Sequence, residues 1–230
     1  MRSEWISIDA SGGGRYDAYL SLPPAGHGPG LLLFQEIFGV NRHIRAVAEQ
    51  YALDGFVVLA PDLFWRDAPR VELGYTGADR ERAMALLKAT DPARLAADIH
   101  TSLAALRARP ERDGRVGAFG YCLGGRLAYV AAATADVDAA SCFYGGGIHD
   151  QLGIASGVRC PIQFHYGSRD AHIPLPAVDK VKAAFSGRDA EIHVYDAEHG
   201  FNCWERASYN APSAALAHAR TLAHFARTLF

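Results

Sequence analysis

Residues 116–126 read Val-Gly-Ala-Phe-Gly-Tyr-Cys-Leu-Gly-Gly-Arg. An apolar run, Val116 to Phe119, leads into Gly120-x-Cys122-x-Gly124, and a helix-like segment from Leu123 to Ala133 follows. Strand, sharp turn and helix in that order is the setting in which a Gly-x-nucleophile-x-Gly pattern carries chemical meaning. Such a turn strains the backbone at Cys122, and glycine on either side leaves room for the neighbouring chain. A thiol held there stands at the rim of a sheet and at the positive end of a helix, where loss of its proton is favoured. The chemistry this predicts is attack on a carbonyl carbon. The competing reading is a small core residue in a tight turn, which the flanking glycines disfavour.

A cysteine nucleophile needs a base, and the base needs a carboxylate to orient it. The expected chain order is nucleophile, acid, histidine. Asp170 follows the strand-like Ile162-Gln-Phe-His-Tyr and a glycine turn; His199 follows the next strand, Ile192-His-Val-Tyr. Asp170 could instead be a turn-capping residue. His165 and His193 lie inside strands and read as packed, hydrogen-bonded side chains, while His172 is too near Asp170 in sequence to be oriented by it. Acyl transfer also needs two backbone N–H donors for the oxyanion. Leu123, next to the nucleophile, supplies one, and Ile37, after an early strand, the other. Glu36 beside Ile37 would oppose thiolate formation by like charge or hold the thiol proton; otherwise it is a solvated or capping glutamate.

These residues require an α/β architecture. Continuous apolar runs at 31–35, 57–60, 116–119, 139–144, 162–166 and 192–195 read as strands covered on both faces. Helical patterns at 42–54, 78–90, 93–107, 123–133, 177–185 and 213–228 alternate with them. The expectation is a mostly parallel central sheet with helices on both faces. An antiparallel hairpin around Gly12-Gly13-Gly14 edges the sheet, and one domain spans residues 1–230. The irregular stretch 62–77 is expected to border a pocket.

Composition narrows the function further. Half of the 230 residues are hydrophobic, the net charge is −2, and no basic stripe suggests nucleic acid. No apolar stretch is long enough to cross a bilayer, and the N-terminus lacks a signal-peptide core, so a cytoplasmic monomer or weak homodimer is expected. The four cysteines form no Cys-x-x-Cys pair, and His193 and His199 have no third ligand at a sensible spacing, so neither a metal nor an organic cofactor is expected.

Together the residues resemble the dienelactone hydrolase (carboxymethylenebutenolidase) family of the α/β-hydrolase fold. The matching stretches are Gln35-Glu-Ile-Phe-Gly-Val-Asn41, Ala60-Pro-Asp-Leu63, Gly120-Tyr-Cys-Leu-Gly-Gly125 and Glu198-His-Gly-Phe201. The resemblance implies a Cys122–His199–Asp170 triad and a neutral resting thiol bonded to Glu36, released when substrate binds. A standing thiolate–imidazolium pair is the alternative. It also implies a carboxylate-bearing lactone held by two arginines. Arg80 matches the first, with Arg82 a rival. The second belongs at position 203, which is cysteine here, and Arg206 is offset from that register; a family tyrosine is Met84. Phe38, Phe64, Trp65, Tyr144 and Trp204 are candidates for an apolar substrate wall or for core and edge packing. The reading is hydrolysis of a small ester or lactone, an enol lactone above all, through an acyl-thioenzyme. Its rivals are a carboxylesterase or thioesterase of other range, a non-catalytic protein on this fold, and a thiol sensor.

Overall fold

A computed structural model describes residues 1–230, which separate into two compact units, Met1–Val116 and Gly117–Phe230. In the first, β1 (Arg2–Asp9) and β2 (Arg15–Leu22) form the expected antiparallel hairpin. Strands β3 (Gly28–Phe34) and β4 (Val57–Pro61) pair in parallel, and β2 runs antiparallel to β4, giving the order β1-β2-β4-β3. Helices α1 (Arg42–Leu53), α2 (Gly77–Ala89) and α3 (Pro92–Arg107) complete the unit. Every residue of β3 and β4 is buried, as their unbroken apolar character requires.

Two of the sequence stretches named above have structural work in this unit. Gly39 has φ +82° and lies so close to Val71 that a Cβ would strike the Val71 carbonyl oxygen, so only glycine fits. Asn41 then caps α1 by accepting the Ile44 N–H at 3.2 Å. Gln35 accepts the Leu63 N–H at 3.2 Å, which ties the end of β3 to the loop after β4. Asp62 staples that loop, accepting N–H groups from Phe64 at 3.0 Å and Arg70 at 2.6 Å. Burial pushes its carboxyl up to about 6 although both donors oppose the shift.

The second unit carries strands paired in parallel, in the order β5-β6-β7-β8. They are β5 (Arg112–Tyr121, whose start lies in the first unit), β6 (Ala139–Phe143), β7 (Ile162–Gly167) and β8 (Ala190–Tyr195). Helices α4 (Leu123–Thr134), α5 (Leu175–Ala184) and α6 (Ala211–Leu229) follow β5, β7 and β8. The parallel register brings the ends of β5 to β8 to one edge, where chemistry is expected in folds of this class.

Candidate active site

Cys122 sits between β5 and α4 with φ 55° and ψ −114°, a conformation that side-chain-bearing residues rarely adopt. Its N–H donates to the Phe143 carbonyl at 3.0 Å, which anchors the turn to the end of β6. Gly125 makes this possible: a Cβ there would collide with the backbone of Phe143. Leu123 begins α4, and the N–H of a first helical residue has no partner within the helix, which suits an oxyanion donor.

The acid and base come from loops after β7 and β8. Asp170 is buried and holds four partners in register. Its Oδ1 accepts the N–H groups of His172 at 2.8 Å and Ile173 at 3.1 Å, and its Oδ2 faces His199 Nδ1 at 2.7 Å; its own N–H reaches the Gly167 carbonyl. Burial pushes the carboxyl up, but the bond to His199 and the backbone donors outweigh it and hold Asp170 below its ordinary value. Burial likewise disfavours the His199 imidazolium. Hydrogen bonds to Asp170 and to Cys122 overcome that and raise the group to about 10. Cysteine, histidine and aspartate therefore stand in one hydrogen-bonded row, within the second unit alone. His199 is pinned further by Ser208, whose hydroxyl donates to the His199 carbonyl at 2.7 Å.

The remaining histidines sort themselves by environment. His165 is fully buried between the Tyr195 hydroxyl at 2.8 Å and the Thr221 hydroxyl at 3.1 Å, and burial drives its pKa well down. His193 pairs with Glu191 at 3.1 Å. Both are packed strand residues, as their sequence positions indicate. His172 supplies its backbone to Asp170 and lays its ring edge-on to His199, with centroids 5.1 Å apart. All four cysteines are free thiols. Burial pushes Cys142 well up and Cys160 up to about 11, which leaves both unsuited to nucleophilic attack.

Among the other residues singled out from sequence, Glu36 and Ile37 are buried just beyond β3, and Phe38 packs edge-on against Tyr75 at 4.5 Å. Arg80 and Arg82 are exposed on α2. Trp65 is engaged locally: it stacks on Tyr16 at 5.5 Å, donates to Asp98 at 3.1 Å and carries the Arg66 guanidinium at 4.2 Å. Arg206 is half-buried, and its guanidinium lies directly over the Cα of Gly200, the residue after His199. Tyr144 is fully buried, has φ 36°, and sets its ring 5.0 Å from that of His199. Neither its backbone strain nor the Ser208 contact has a clear signal in the sequence.

The dienelactone hydrolase family model matches residues 16–229. A carboxymethylenebutenolidase from a Pseudomonas species is 38% identical over 96% of this chain and 94% of its own length. Carboxymethylenebutenolidase 1 of Cupriavidus pinatubonensis is 33% identical over 96% of both chains. The chain belongs to the dienelactone hydrolase family. Its fold agrees with the crystal structure of a protein assigned as a dienelactone hydrolase, from Klebsiella pneumoniae subsp. pneumoniae. That structure has a TM-score of 0.86 and 30% identity and covers 99% of this chain and 100% of that one. The family's α/β-hydrolase architecture, a mixed and mostly parallel sheet with an antiparallel N-terminal hairpin, is therefore the architecture here. Membership makes this dienelactone hydrolase relative a hydrolase of ester or lactone bonds.

Proposed function

We propose that this enzyme opens a small enol lactone of the dienelactone type through a thioester on Cys122. The observation that carries the reading is the hydrogen-bonded row Cys122–His199–Asp170 behind a strained turn. The sulfur adds to the lactone carbonyl carbon, and the carbonyl oxygen becomes an oxyanion held by the N–H group of Leu123. Collapse of the tetrahedral adduct breaks the ring C–O bond, leaving an acyl-thioenzyme and an enolate. The enolate takes the proton of the His199 imidazolium and ketonises, so it does not return to the carbonyl. A simple alkyl lactone would release a tethered alkoxide that can re-attack, so the cysteine favours enol lactones over alkyl esters. His199, oriented by Asp170, then removes a proton from water, and hydroxide adds to the thioester and expels the sulfur. The ring-opened acid leaves and Cys122 is restored.

A further assignment belongs to this reading. Arg206, whose guanidinium lies against Gly200 beside His199, meets a substrate carboxylate in place of the arginine that position 203 lacks. The raised pKa of His199 supports a resting imidazolium.

A turnover panel tests the substrate assignment: cis- and trans-dienelactone, an uncharged enol lactone and p-nitrophenyl esters, with the parent and Arg206→Gln. We expect charged dienelactones to be preferred, and Arg206→Gln to lose about 10- to 100-fold in kcat/KM on them, one charge-assisted contact, while sparing the uncharged lactone. Equal rates on charged and uncharged lactones in the parent would move the function to a general carboxylesterase.

A further inference from the structure

The bond from His199 Nδ1 to Asp170 Oδ2 and the covalent bond to Cβ hold one side of the imidazole, while rocking about χ1 and χ2 still moves its far nitrogen. Catalysis requires the opposite nitrogen to address Cys122, so something must hold the plane of the ring. Two rings abut it. His172, at 5.1 Å and 80°, is exposed on its loop and can move. Tyr144, at 5.0 Å and 61°, is wholly buried and cannot.

Tyr144 is itself fixed from several sides. Its ring meets Phe201 edge-on at 5.3 Å, Tyr121 at 6.0 Å and Phe143 at 6.3 Å, and its N–H donates to the His165 carbonyl at 2.7 Å. Phe201 is backed in turn by Tyr195 at 5.1 Å, whose hydroxyl is held by the buried His165. The backbone of Tyr144 carries φ 36°, a region that disfavours bulky side chains. The next three residues are all glycine, yet the chain places tyrosine at the left-handed position, so the strain is retained in favour of the ring. The preceding residue, Phe143, holds the Cys122 N–H. One dipeptide at the end of β6 thus touches both the nucleophile's backbone and the base's ring.

We infer that Tyr144 is a positioning residue, whose ring sets the plane of the His199 imidazole against Cys122. The inference rests on the triad reading above and gives Tyr144 a different task from lining the substrate wall. It is the aromatic ring, with its flat edge and stiff seat, that does this, so phenylalanine should replace it and a flexible aliphatic chain should not.

The test is steady-state kinetics on Tyr144→Phe and Tyr144→Leu, together with the downfield proton resonance of the His199–Asp170 bond. Tyr144→Phe should keep kcat within about twofold, whereas Tyr144→Leu should lose about 100-fold in kcat with KM changed by less than about threefold. The downfield proton should persist in both, because the Asp170 bond is not the contact removed. A leucine variant with parental kcat would overturn the inference. So would one whose loss falls on KM alone, which would make Tyr144 a substrate contact, or a phenylalanine variant as slow as the leucine one. If the leucine variant does not fold, Tyr144→Met is read in the same way. Cys122→Ala, assayed alongside, separates the two failures: turnover retained there removes the triad reading itself, whatever the Tyr144 variants do.

Discussion

In the proposed thioester the sulfur of Cys122 is neutral, and the contribution it makes to the high pKa of His199 disappears. The imidazole then needs only Asp170 to orient it, and its Nε2 is released to serve as a base toward water. The same pair of residues therefore holds a proton at rest and gives it up once the acyl group is in place. This has a measurable consequence in the free enzyme. His199 is raised to about 10 from an ordinary 6.5, so it stays protonated through neutral pH and loses its proton only as the pH rises through about 10. The His199 ring protons followed by NMR against pH should show the imidazole protonated through neutral pH, and Cys122→Ala should bring its titration down toward the ordinary range, because one of the raising contacts is gone. A His199 ring that loses its proton near 6.5 in the parent would contradict this. Neither resting state was decided by the sequence, because residue order says nothing about which of two acids holds a shared proton. The order of nucleophile, acid and base was readable because one strand and one turn separate each from the next.

The turn between β5 and α4 depends on its contact with the end of β6. A Cβ at Gly125 would fall on the Phe143 carbonyl oxygen, with the Phe143 carbonyl carbon and amide nitrogen both 3.1 Å away. Gly125→Ala should therefore shift the Phe143–Cys122 hydrogen bond, lower stability by about 1–3 kcal/mol and cut kcat. Gly146→Ala, with nothing within 4 Å of the added carbon, is the matched control and should leave both unchanged. Thermal unfolding and kinetics of the pair check this; two variants of equal stability and rate would contradict the packing argument. Element positions were largely legible from apolar runs, and their errors have physical causes. β3 begins at Gly28, ahead of the run at Leu31, although Gly-Pro-Gly reads as a turn. Gly30 pairs with Val57, and a Cβ there would crowd Leu106, Arg112 and Val116 at 3.2 Å, so this glycine serves packing rather than turning. β5 starts at Arg112 because its polar first half is still strand. β6 ends at Phe143, since Tyr144 leaves the extended region altogether. No period-based reading finds a single residue that takes a positive φ while its ring packs against elements far apart in sequence.

At the scale of the molecule, each compact unit has its own strands and helices, and Cys122, His199 and Asp170, the proposed triad, all belong to Gly117–Phe230. No helix is long and apolar enough to cross a membrane. The near-neutral charge gives no field suited to a polyanion, which agrees with a small-molecule substrate. The overall chemistry reduces to one claim, that the acyl group passes through the sulfur of Cys122. The direct measurement is mass spectrometry of enzyme quenched during turnover of an enol lactone, using His199→Asn to slow deacylation. The account predicts a mass gain equal to the ring-opened acyl group, located on the peptide that carries Cys122 and removed by hydroxylamine, with neither adduct nor turnover in Cys122→Ala. An acyl group on another residue, or hydrolysis at the parental rate by Cys122→Ala, would contradict it.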